Sequence, residues 1–214
     1  MKLLVHPLPV RICHWTLAAA VTVLLLTGLY LNSPAETIQL KAGLVRKLHS
    51  FCGAILIANL TVQIYYYFLT AKWPEILFLR RDFANLPSLA RYLLFITDGM
   101  PNYGRYNPGQ KLLYSAWLLG ILCAAATGAA LFFPSDAIGF QRLLGGLNAI
   151  RLMHFSVALL FAASIPVHLY LVFTESPARL QSMFTGYVNS EPAAGLTEFT
   201  TGLPPAPPED EPHR

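Results

Sequence analysis

The chain has 214 residues, 55% of them hydrophobic and 12% charged, and a formal net charge of +4. A water-soluble domain carries charge on roughly 25% of its residues, so this balance excludes an ordinary soluble enzyme and points to a membrane as the solvent. No nucleic-acid partner is expected.

The charges are spaced to leave four uncharged runs, at 12–35, 48–71, 112–135 and 152–174. Each is long enough to cross ~30 Å of hydrocarbon as a helix. None alternates apolar with polar residues, and an open sheet edge in lipid would strand its backbone polar groups. The expected fold is therefore all-α, an integral membrane four-helix bundle with helices at about 10–31, 48–70, 111–133 and 148–175, in one domain over 1–188. Lys2 and Arg11 precede the first run as they would in a secretory signal, but the run exceeds an h-region of roughly 7 to 15 residues, so it reads as a permanent helix. Of the 15 Lys and Arg, the segments on the N-terminal side hold twice as many as the opposite ones, which places both termini in the cytoplasm.

The first helix carries Arg11 and His14 at its start and Thr27-Gly28 near its end. An outer loop leads to the second helix, which opens with Arg46 and His49. A long segment over 72–110 follows, broken by Pro74, Pro87, Pro101 and Pro108; within it, 88–95 mixes Leu, Tyr and Phe with Arg91, as an interfacial helix does. The third helix ends on Thr127-Gly128, an echo of the first, and glycine at 28 and 128 would let a flat macrocycle or a helix approach closely. After a second outer loop, the fourth helix carries Arg151, His154 and His168. From 189 to 214 the chain is rich in Pro with Glu and Asp, the composition of a disordered cytoplasmic tail. Cys13, Cys52 and Cys123 stand alone in apolar runs, with no metal-binding or haem-attachment spacing, and read as small buried hydrophobes.

One histidine in a membrane helix is commonly a polar contact between helices, whereas four in a consistent geometry need another account. His154 and His168, separated by ~21 Å of helical rise and a net turn of about 40°, face the same way at two depths. Alternating helix direction puts His14 at the depth of His168 and His49 at the depth of His154. Two imidazoles at one depth fill both axial positions of a haem iron, an arrangement for electron transfer rather than oxygen chemistry. Arg11, Arg46 and Arg151 each precede a ligand by three residues, on its helical face, where they would meet haem propionates near the membrane surface. His168 has no such arginine, and His6 and His213 lie outside the runs. A transporter using the four histidines for protons or metal is the alternative of a different class; the runs hold no carboxylate to support it.

The stretches HPLPVRICHW (6–15), RKLH (46–49), YNPGQK (106–111), RLMH (151–154) followed by His168, and MFTGYV (183–188) resemble the cytochrome b subunits of membrane-bound nickel–iron hydrogenases and the gamma subunits of respiratory formate dehydrogenases. The resemblance covers roughly 6–188. It implies two haems b on His14, His49, His154 and His168. It also implies a quinone site, for menaquinone or ubiquinone, beside the cytoplasmic haem near Asn107, Gly109 and Gln110. Placed at a helix start, these residues offer amide groups and free N–H donors to a quinone carbonyl; helix capping explains Asn107-Pro108 equally well. The expected partners are an extracytoplasmic iron–sulfur subunit and a catalytic dehydrogenase or hydrogenase, with electrons entering from outside. The expected location is the bacterial cytoplasmic membrane. A quinol oxidation running outward to a periplasmic reductase uses the same scaffold, and no catalytic residue of the chain's own is expected.

Overall fold

A computed structural model describes residues 2–33, 40–99, 101, 103, 106–175 and 177–189. Four long helices dominate it: α1 (Leu8–Asn32), α2 (Ala42–Leu69), α5 (Pro108–Phe132) and α7 (Leu147–Glu175). Between α2 and α5 lie α3 (Trp73–Ile76), a 3-10 turn (Arg80–Asn85) and α4 (Leu86–Leu93). The segment α6 (Ile138–Leu144) fills the loop before α7, and α8 (Pro177–Thr185) follows it. The predicted interfacial helix over 88–95 corresponds to α4.

The helices begin before the uncharged stretches that foretold them, most of all α2, which begins at Ala42 rather than near 48 and so takes Arg46 and Lys47 into its first turns. Absence of charge marks the hydrocarbon; a helix continues into the interface, where charged side chains are solvated. Local signals set the ends. Pro9 lies in the first turn of α1, where its missing N–H costs nothing. Asn107 caps α5 by accepting the Gln110 N–H at 2.8 Å, and Gln110 Oε1 returns the bond to the Asn107 N–H at 3.1 Å. Gly145 and Gly146, with φ of 88° and 97°, make the left-handed corner between α6 and α7 that side chains with Cβ resist.

The long helices form two hairpins, α1 on α2 and α5 on α7, with thinner contact between hairpins. Leu56, Ile121 and Phe161 join them at mid-depth, with Leu17, Val21 and Trp117 packed around. Outside that core the spans stay apolar and uncovered: the most apolar stretch of Leu147–Thr174 has a mean hydropathy of 2.0, with only 6% of it buried inside the chain. What covers such a face is lipid.

The sequence reading has no counterpart for α3, the 3-10 turn, α6, α8 or a two-stranded ribbon. Strand β1 (Lys2–Leu4) pairs antiparallel with β2 (Tyr187–Asn189), Leu3 opposite Val188. The ribbon brings the two ends of the described chain to one end of the bundle, the near end. Beneath it buried His6 meets Ser182 through Nδ1 and Oγ at 2.8 Å. The tail expected over 189–214 lies, beyond Asn189, outside the described residues.

Candidate functional site

The four histidines fall at two levels. At the far end, His49 of α2 and His154 of α7 face each other with ring centroids 6.1 Å apart and planes inclined at 64°. Helices α2 and α7 hardly touch, so the rings reach across a gap. With metal–nitrogen bonds of about 2 Å and a ring radius of roughly 1.1 Å, two imidazoles sharing one metal have centroids about 6 Å apart. The donor set and its spacing fit an iron held between two neutral nitrogens.

Each far-end imidazole is braced by a threonine of the helix it packs on. Thr27 Oγ1 of α1 lies 2.8 Å from His49 Nδ1, and Thr127 Oγ1 of α5 lies 2.9 Å from His154 Nδ1. The next residue in each case is glycine. A Cβ on Gly28 would stand 3.2 Å from His49 Cε1, and one on Gly128 would stand 3.2 Å from His154 Cε1. What the two glycines admit in this structure is therefore a neighbouring helix's imidazole edge.

At the near end, His14 of α1 lies within electrostatic range of His168 of α7. Both rings are half-buried against indoles, His14 with Trp15 at 5.3 Å and His168 with Trp117 at 5.2 Å between centroids. Trp117 is fixed in turn by its indole N–H, which donates to Ser164 Oγ at 2.8 Å. Pro166 interrupts the α7 ladder, between His154 and His168.

The three arginines part company. Arg11 donates through Nε to the Met183 carbonyl at 3.2 Å and through Nη2 to the Phe184 carbonyl. With Trp15, whose indole donates to Met183 O at 3.1 Å, it satisfies carbonyls left open at the end of α8, the negative pole of that helix. Arg151, exposed, donates to Asn148 Oδ1 at 3.3 Å. Arg46 is exposed at the far end, without a hydrogen bond among the described residues.

Asn107, Gly109 and Gln110 come together at the near end. The amides of Asn107 and Gln110 cap α5, and Gln110 Oε1 also accepts from Arg179 Nη1 of α8 at 3.3 Å. Gly109 is where α4 presses in: a Cβ there would stand 3.2 Å from Leu89 Cδ2. Beside them is a pair that sequence reasoning missed. Lys111 Nζ donates to Asp82 Oδ1 at 2.9 Å, with both side chains buried. Burial pushes the Asp82 carboxyl up, but the Leu79 N–H on Oδ2 at 2.7 Å and the Lys111 ammonium outweigh it and hold the carboxyl below the ordinary range.

The model of the family described as prokaryotic cytochrome b561 matches residues 5–186. The chain is similar to the probable Ni/Fe-hydrogenase B-type cytochrome subunit of Azotobacter vinelandii, 24% identical over 207 residues that cover 86% of this chain and 85% of the relative. The formate dehydrogenase cytochrome b556(fdo) subunit of Escherichia coli strain K12 is 24% identical over 186 residues, covering 85% and 83%. A match that takes in all four spanning helices and every histidine of both levels is decisive: the chain belongs to the prokaryotic cytochrome b561 family, a multi-pass b-type cytochrome of the bacterial inner membrane that carries haem b and transfers electrons.

Proposed function

We propose that the chain holds two haems b, one between His49 and His154 and one between His14 and His168, and joins a catalytic subunit outside the membrane to quinone at the cytoplasmic face. The observation that carries this reading is the 6.1 Å spacing of His49 and His154 across helices that are otherwise apart. When bound, the haems supply one-electron carriers at two depths of the bilayer. Held by His49 with His154 and by His14 with His168, each iron would be left no position for oxygen and would supply electron transfer alone.

The chain's own residues do the rest. Arg46 and Arg151 offer guanidinium groups near the far level, where propionates of the His49/His154 haem would reach the interface. Arg11, tied to α8, keeps the near-level ligand helix docked, and its guanidinium is the candidate propionate contact there. Asn107, Gly109 and Gln110 form the quinone site: Trp117, which touches His168, stands only ~10 Å of helix from Gln110. The near end is cytoplasmic by the excess of Lys and Arg on that side. Reduction of quinone there takes two electrons and two protons. Each electron drawn inward from outside stores ~2.3 kcal/mol per 100 mV of membrane potential.

The relatives bear the names of hydrogenase and formate dehydrogenase subunits, and the partner proposed here is of that kind, delivering electrons through an iron–sulfur subunit. The test is a difference spectrum of the native complex in membranes. Hydrogen or formate should bring up a haem b absorbance that added quinone then discharges. Purified protein with no haem absorbance, and substrate-linked ion flux instead, would replace this reading with the transporter.

A further inference from the structure

We infer that Thr27 and Thr127 are positioning residues that fix the tautomer of His49 and His154 and make the far-level haem the lower-potential one of the two. This rests on the two-haem reading above and deepens it.

The argument begins with one proton. Thr27 Oγ1 lies 2.6 Å from the Val23 carbonyl and 3.2 Å from that of Leu24; Thr127 Oγ1 lies 2.6 Å from the Cys123 carbonyl and 3.3 Å from that of Ala124. A carbonyl cannot donate, and two oxygens at 2.6 Å repel unless a hydrogen lies between them. Each threonine therefore spends its only proton on its own helix, one turn back. The oxygen it turns to the neighbouring imidazole, at 2.8 Å for His49 and 2.9 Å for His154, can only accept.

It follows that Nδ1 carries the hydrogen in both rings, and Nε2 of each keeps its lone pair for a metal. The glycine after each threonine completes the seat: with no Cβ at 28 or 128, the Cε1 edge of the ring closes against the backbone. The same Thr-Gly pair, on the first helix of each hairpin, thus aims one ligand of the second helix.

A hydrogen bond from the distal N–H of a metal-bound imidazole raises the ligand's basicity. A more basic ligand favours ferric over ferrous iron, and ligand and hydrogen-bond changes of this kind are among the protein's levers on haem potential. The near level has no such device. Among the described residues the His14 and His168 rings make no hydrogen bond; their neighbours are the indoles of Trp15 and Trp117. With both far-level ligands braced and neither near-level ligand, the potential rises from far to near, the direction in which electrons bound for a cytoplasmic quinone must move.

The test is a spectroelectrochemical titration of the full-length, haem-loaded chain in which Thr27 and Thr127 are replaced separately by valine, which keeps the shape and removes the acceptor, and by serine, which keeps the hydroxyl. His154→Ala, by abolishing one wave, identifies the far-level haem. The expected result is that this wave is the lower one and moves upward in T27V and in T127V, while the other wave and the serine variants stay at wild-type values. Loss of the far-level haem alone in a valine variant, with recovery in the serine variant, also supports the positioning role. Unchanged waves in both valine variants, movement of the other wave, or a far-level wave that is the higher of the two would overturn the inference. A wild-type chain lacking two waves would instead overturn the two-haem reading beneath it.

Discussion

At Gly28 and Gly128 the nearest heavy atom to an added Cβ belongs to the imidazole of His49 or His154, at 3.2 Å. An alanine there needs the ring to give by a few tenths of an ångström; a branched side chain displaces it. G128V should therefore halve the haem-to-protein ratio by emptying the far level, whereas G128A should keep both haems, as read by pyridine haemochrome assay on purified protein. The Thr-Gly echo is visible in the sequence, but its meaning is not. The glycine could be read as making room, while the threonine's bond reaches across helices to a residue 22 or 27 positions away, which no local pattern encodes. Arg11 makes the same point. Its spacing from His14 is legible, yet the carbonyls it caps lie more than 170 positions along the chain.

Among the elements, the short ones between α2 and α5 are anchored by the buried Asp82–Lys111 pair, which ties the 3-10 turn to the first turn of α5. Removing one partner strands the other's charge in a buried site, at a cost of about 3–5 kcal/mol. D82N and K111M should each lower the thermal transition in detergent, and D82N/K111M together should recover part of the loss. The carboxyl sits below its ordinary value in the folded chain. Its contribution is therefore present above the unfolded value of about 3.9 and lost as pH falls through the lower folded value. The wild type should lose this contribution on acidification below about pH 4; in D82N that component should be missing. Sequence reading found α4 from its mixed apolar and basic composition. It missed α3, the 3-10 turn, α6, α8 and the β1–β2 ribbon, because elements of three to nine residues carry too little periodicity to register.

At the scale of the whole molecule, the spans were legible because lipid imposes one strong rule, the exclusion of charge over the length of a helix. The two levels of histidines were legible because helix rise and alternating direction are fixed quantities. Helix pairing was not: nothing in the four apolar runs says that α1 packs on α2 and α5 on α7, leaving α2 and α7 bridged chiefly by side chains. That arrangement leaves the histidines to link the hairpins above and below the Leu56, Ile121 and Phe161 core, with α7 contributing to both levels. The most direct test is the haem content of the purified full-length chain alongside His49→Ala and His14→Ala. Two haems b in the wild type, one in each single variant and none in H154A/H168A is the predicted result; a wild type with fewer than two, or a double variant that retains both, would contradict the account.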